Sequence, residues 1–209
     1  MYSTREEKAN IISHGFGFIL FLTLGLILVA QLDYHNWVQI ISGWTYTLSL
    51  LILYAASTLY HMAPGNSLKR SRLRIFDHSA IYVLIAGSYT PFCLIGLGDP
   101  VGYKVIIIVW GIAIIGVVLK LFFTGKFDRL STLLYLFMGW FVVLYWPDLN
   151  ESLSTESINL LILGGIFYSI GAVLYAIPKL PFNHAIFHIF VLAGSLTHFY
   201  AIYKTIFLF

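Results

Sequence analysis

The segment HAIFH places His184 and His188 four residues apart, so on a helix the two imidazoles stand one above the other on a single face. Two imidazoles at that spacing can hold one metal ion. A catalytic zinc site typically takes three protein ligands and leaves the fourth position to water, and His61 is the expected third donor. Ser57, four residues before it in STLYH, presents its hydroxyl to the same region, where it can orient a ligand or a water. Asp77 has two readings, a further ligand or a base that accepts a hydrogen bond from that water. The second is preferred because three histidines complete the protein's share. A plainer reading stays open for this set, since His and Ser side chains also hydrogen-bond helices to one another inside membranes. His198 lies ten residues beyond His188, about 15 Å farther along a helix and too far to share the ion. His14 and His78 read as outer partners of the site or as interfacial residues, and His35 as a solvated turn residue.

The elements that must position these side chains are membrane helices. Of 209 residues, 59% are apolar, 17% aromatic and only 10% charged, with a mean hydropathy of +0.87 over the whole length. That composition excludes a soluble enzyme with an apolar core. The single cysteine, Cys93, permits no intramolecular disulfide, and a net charge of +3 is too small to imply nucleic-acid binding. Apolar stretches of about 20 residues, enough to cross a bilayer, lie near 11–32, 37–62, 74–97, 101–122, 130–146, 158–177 and 183–207. They predict one all-α domain over 1–209, a bundle of seven transmembrane helices, in which the fifth is the shortest. The polar first ten residues and the apolar run after them, without a small-residue cleavage pattern, read as a first membrane helix and not a removable signal. Runs such as VIIIVWGIAIIGVVL lack the alternation of a barrel strand.

Basic residues orient the bundle, because they favour the cytoplasmic side. With the N-terminus inside, the inner segments carry Arg5, Lys8, Lys69, Arg70, Arg72, Arg74, Lys120, Lys126, Arg129 and Lys179, which is ten of twelve. Lys104 and Lys204 fall outside with Asp148, Glu151 and Glu156. The N-terminus is therefore cytoplasmic and the C-terminus outside. Ionisable groups within spans are costly and mark functional positions. Under this topology His14, His61, Asp77, His78, His184 and His188 all come to the cytoplasmic end of the bundle, although lysines and arginines alone set the topology. Gly15, Gly17, Gly87, Gly164, Gly165, Gly171 and Gly194 are expected to allow close helix packing, Pro91 to kink the third span, and KRSRLR to contact anionic headgroups.

The motifs EEKANIISHGFG, STLYH, FDHSAIYVLIAGSYTPF and HAIFHIFVLAGSLTHF resemble the hemolysin III branch of the progestin and adipoQ receptor family over nearly the whole chain. The resemblance implies seven transmembrane helices with a cytoplasmic N-terminus. It also implies zinc on His61, His184 and His188 near the cytoplasmic face, with Asp77 positioning the metal-bound water and Ser57 close by. The wider superfamily includes alkaline ceramidases, which points toward hydrolysis of a lipid amide. With about ten residues before the first span and very short outer segments, little surface is left for a protein hormone. The compact form looks bacterial.

The leading expectation is a multi-pass cell-membrane, zinc-dependent hydrolase of a lipid amide or similar amphipathic substrate that enters from the bilayer. A second is a non-enzymatic sensor or regulator whose zinc staples helices. A third, a hemolysin-like membrane-disrupting protein, lacks the repeated polar lining that a pore requires.

Overall fold

The computed structural model describes residues 2–207. Met1, Leu208, Phe209 and the side chain of Arg129, counted above with the inner basic residues, lie outside the described set. The first helix, α1 (Thr4–Ala30), begins seven residues earlier than the apolar run. The cause is local: Ser3 and Glu6 have capping-box spacing, and Ser3 Oγ accepts the Glu6 N–H at 3.2 Å. Glu6 and Glu7 in the first turn also suit the positive end of the helix dipole. Asn36 and Ser67 cap α2 (Trp37–Met62) and α3 (Leu68–Pro91) in the same way, so all of KRSRLR lies in the first turns of α3 and not in a loop.

At Pro91 the third span does not end. It widens into a π-helical turn, Phe92–Leu97, closed by the Gly98 N–H on the Cys93 carbonyl at 3.0 Å. The next helix, α4 (Val101–Phe123), meets this turn at Gly102, where a Cβ would lie 1.9 Å from the Cys93 carbonyl oxygen. Only glycine fits there.

The fifth span is not short. It comprises α5 (Asp128–Trp140), a 3-10 turn over Phe141–Tyr145 and α6 (Trp146–Ser152), and from Leu130 to Ser152 it is long enough to cross a membrane. The break is made by Tyr89 on α3. Its hydroxyl reaches the Met138 and Gly139 carbonyls at 2.9 and 3.0 Å and accepts the Val142 N–H at 2.9 Å. A side chain has thus taken over the helical bond that Val142 would have made to Met138, which is a known way to bend a helix.

Two further helices, α7 (Thr155–Tyr175) and α8 (Asn183–Phe207), complete seven spans, and no strand occurs among the described residues. The core lies between α1, α2 and α8, where Phe21, Leu50, Tyr54 and Ile202 are fully buried. Gly17 makes this approach close, since a Cβ there would be 2.4 Å from the Tyr54 ring; Gly164 likewise admits the His198 ring, at 2.1 Å. Gly15 differs from the expectation. A Cβ there would meet Thr58 at an ordinary 3.8 Å, so packing does not require glycine at that position. Large apolar residues such as Ile12, Ile107, Phe122 and Leu144 remain exposed on the outside of the bundle, the surface that a bilayer would cover.

The alternation of the spans brings the start of α1, the end of α2 and the starts of α3 and α8 to the basic end. At the opposite end Lys204 bonds Glu156 at 2.6 Å and Tyr203 bonds Gln31 at 2.9 Å. Orientation follows as a prediction. Cysteines introduced by Lys69→Cys and His35→Cys, both in exposed positions, should react with an impermeant maleimide from opposite sides of the membrane, with position 69 cytoplasmic. Native Cys93 is buried and should stay silent. Labelling of both from one side would refute the seven-span topology.

Candidate metal centre

His61 occupies the last turn of α2, and His184 and His188 occupy the first two turns of α8. All three are buried, at 3%, 6% and 1% exposure. One ring nitrogen from each lies within 4.8 Å of the others, and Nε2 of His61 is 3.1 Å from Nε2 of His184. Two nitrogens on one tetrahedral zinc, each at about 2.0–2.1 Å, are roughly 3.3–3.4 Å apart. The closest pair is therefore near the separation a shared ion imposes.

The outer nitrogens decide whether the inner ones can donate to a metal. Glu7 accepts a hydrogen bond from His61 Nδ1 at 2.7 Å, and an ionised carboxylate can only accept. Ser13 Oγ spends its single proton on the Asn10 carbonyl at 3.0 Å, so at 3.2 Å it must accept from His188 Nδ1. Both rings thereby carry their proton outside and turn the Nε2 lone pair inward. His184 Nδ1 is 2.8 Å from the Tyr2 hydroxyl. Burial, reinforced by the neighbouring Tyr175 and Tyr60 phenols, pushes the Tyr2 hydroxyl well above its ordinary pKa, so it stays protonated and its oxygen can accept in the same manner. Three ring nitrogens gathered within 4.8 Å, each ring bonded through its outer nitrogen, form a group that can hold a metal ion.

Glu7 is itself held. The Arg70 guanidinium pairs with it and also donates to the Ala63 carbonyl at 2.8 Å, at the end of α2. A chain of charge-assisted bonds thus runs from α3 through α1 to the α2 histidine.

Asp77 is buried on α3 and does not belong to the convergent set. With Ser57 it lines a mostly apolar cavity of about 180 Å³ that also reaches His184 and His188 and extends toward Trp146 and Leu149 in the opposite half of the bundle. The Ser57 hydroxyl is buried beside the Asp77 carboxyl group. The remaining histidines divide. His198 Nε2 donates to the Leu161 carbonyl at 3.0 Å and ties α8 to α7. His78 receives a bond from the buried Lys120 at 3.4 Å, beside the Arg74–Asp128 ion pair at 2.7 Å, in a cluster that joins α3, α4 and α5. His35 is exposed in its turn. His14 stacks on His188 with ring centroids 3.5 Å apart.

Tyr2, Glu7 and Ser13, which bond the three histidines from behind, are not among the residues that the sequence pattern singles out. Their signal was present: Ser3 and Glu6 announce an early helix start, and a helix begun there puts Glu7, Asn10, His14 and Gly17 on one stripe.

A family model described as Haemolysin-III related matches residues 2–199. Hemolysin-3 of Bacillus cereus is 43% identical over 199 residues, covering 95% of this chain and 90% of that protein. The Hemolysin-3 homolog of Bacillus subtilis (strain 168) is 43% identical over 203 residues, covering 97% and 95%. At greater distance, the monocyte to macrophage differentiation factor of Homo sapiens is 30% identical over 207 residues, covering 95% and 84%. Matched over nearly its whole length and built of seven membrane-length helices, the chain belongs to the haemolysin-III-related family of multi-pass cell-membrane proteins.

Proposed function

We propose that the protein is a zinc-dependent membrane hydrolase acting on a lipid amide or a similar amphipathic substrate at the cytoplasmic end of the bundle. The supporting observation is a three-nitrogen site with no fourth protein donor in the convergent set, at the end of an apolar cavity. Structural zinc sites are closed by four protein ligands, whereas catalytic ones keep a position open. In this reading His61, His184 and His188 hold the ion, which supplies a Lewis acid for the scissile carbonyl and activates water at neutral pH. Asp77 takes the proton of the attacking water and returns it to the leaving amine. Ser57, buried beside Asp77, donates to the carbonyl oxygen as negative charge develops on it. The cavity binds the acyl chain and keeps bulk water from the reacting atoms.

The lytic activity suggested by the name of the Bacillus cereus relative would need a polar pore. The buried ionisable side chains of this bundle cluster at one end instead.

Purified protein should hold one zinc ion. His61→Ala, His184→Ala and His188→Ala should each lose most of it by elemental analysis, while His35→Ala keeps it. Glu7→Gln removes the acceptor behind His61 and should weaken zinc binding about 10–100-fold in a chelator competition. A folded triple histidine variant with stoichiometric zinc would place the metal elsewhere.

Asp77→Asn keeps shape and loses basicity. Zinc should remain, and hydrolysis of a lipid-amide panel should fall about 100-fold or more. If zinc is lost in parallel with activity, Asp77 is a ligand and not a base. If the zinc-loaded wild-type protein hydrolyses no amide or ester in the panel, the sensor reading replaces this one.

A further inference from the structure

The basic motif at the start of α3 does not present one uniform face. Ser67, Arg70, Ser71 and Arg74 recur at i, i+3, i+4 and i+7, the spacing of a single helical stripe, and all four line a cavity of about 440 Å³ together with Tyr2 and Tyr60. Lys69 and Arg72 fall off the stripe and are exposed outside the cavity. This second cavity shares no lining residue with the apolar one that reaches the histidines, although the Tyr2 hydroxyl bonds His184. Both guanidiniums are held in place. Arg70 pairs with Glu7, donates to the Ala63 carbonyl and lies over the Tyr60 ring, 4.7 Å from its centroid, and Arg74 pairs with Asp128 at 2.7 Å. A guanidinium carries five N–H groups, so these bonds leave each arginine with donors that no described residue takes. The side chains are not sealed off either, being 14% and 38% exposed. Neither Glu7 nor Asp128 lines the cavity, and among the described residues no other carboxylate does. Asp128 also lies 3.8 Å from the Lys120 ammonium, so one negative charge is shared between two cations.

We propose that this cavity is an anion site that takes a terminal phosphate group, carried either by a lipid headgroup of the inner leaflet or by a soluble phosphate. A guanidinium fork matches phosphate oxygens two at a time. Two forks one helical turn apart therefore need an anion with more than two free oxygens. A terminal phosphate has three and carries about −1.5 to −2 charges at neutral pH, whereas a phosphodiester or a carboxylate offers two oxygens and a single charge. The small side chains of Ser67 and Ser71 leave room beside the guanidiniums, and Ser67 caps α3, so the positive end of the helix dipole lies at the same wall. The site goes beyond the proposed hydrolysis and stands even if the protein turns over no substrate.

Purified protein in a neutral detergent is titrated by calorimetry at about 0.15 M salt, where the Debye length is about 8 Å and diffuse surface attraction is weak. The probes are inorganic phosphate, dihexanoyl phosphatidic acid and, as the phosphodiester, dihexanoyl phosphatidylglycerol. The better of the first two should bind about tenfold tighter than the third. Phosphatidic acid binding tighter than inorganic phosphate assigns the lipid source, and equal or weaker binding assigns the soluble one. Ser71→Glu sets a carboxylate beside the guanidiniums at an exposed position where the start of a helix tolerates an acid. It should weaken phosphate binding about tenfold or more, and the uncharged Ser71→Gln should weaken it less. Arg74→Lys keeps the charge but loses the fork, and should also cost about tenfold. Lys69→Gln and Arg72→Gln, outside the cavity, should stay within about twofold of the wild type. The proposal is overturned if neither inorganic phosphate nor phosphatidic acid binds, or if phosphatidylglycerol equals the better of them. It is equally overturned if Ser71→Glu binds like the wild type, if Lys69→Gln costs as much as Arg74→Lys, or if a zinc chelator abolishes binding and so puts the anion at the three histidines.

Discussion

Three imidazoles brought within a few ångströms of one another inside a bilayer cannot be left to choose their own tautomers. Each neutral ring has one nitrogen that carries a proton and one that can bind a metal, and no water is at hand to exchange the roles cheaply. The bond from His61 Nδ1 to Glu7 settles the matter for the α2 histidine, and Ser13 settles it for His188 by having already given its own proton to the Asn10 carbonyl. Both partners come from α1, and Tyr2, just ahead of it, bonds His184. The first helix is therefore the back wall of the site and not merely an anchor. Arg70 extends the same support into α3 by holding the other Glu7 oxygen, so the ion-pair chain couples the orientation of the α2 histidine to the packing of two other helices.

The cavity depends on a second backbone device. Tyr89 inserts its hydroxyl into the fifth span and replaces a helical hydrogen bond with two of its own. In lipid no backbone group can be abandoned, so such a break survives only where a side chain repairs it. The repaired break divides the span into α5 and α6, and residues on both sides of it, Trp140 and Val142 among them, line the cavity. The close contact of α1 with α2 at Gly17 and Tyr54 fixes the opposite wall. A tight half made of α1, α2 and α8 thus holds the histidines, and an open face beside α5 gives them access to something of molecular size.

Much of this was legible in the sequence. Seven spans follow from hydropathy, and the convergence of His61, His184 and His188 follows from a four-residue spacing combined with a topology set by basic residues. Both signals are local or additive. What escaped was decided by partners remote in sequence. Glu7 reads as one more charge in a solvated N-terminal stretch until Arg70 and His61 are brought beside it. Lys120 reads as one of the basic residues that orient the bundle, yet it is buried against His78. The fifth span reads as ending at Trp146, an aromatic residue suited to an interface, whereas it runs on to Ser152. The decisive residue, Tyr89, belongs to another helix and carries no pattern that announces its reach. Gly15 shows the converse error, a glycine read as a packing device on proximity to Gly17 alone, where the geometry leaves room for a side chain.

The division between ligands and wall residues also bears on what the site is for. If the three histidines served only to staple α2 to α8, the lowest-energy solution would be a fourth protein donor and a sealed interior, since every unpaired polar atom in a membrane bundle carries a cost. The structure instead puts three buried polar side chains, His14, Ser57 and Asp77, on the cavity wall. They stand beside three imidazoles whose outer nitrogens are bonded by Tyr2, Glu7 and Ser13. Stability alone gives no reason to gather them there. Reaction or recognition does, because preorganised polar groups in a dry cavity act on a bound molecule with little of the screening that water would impose.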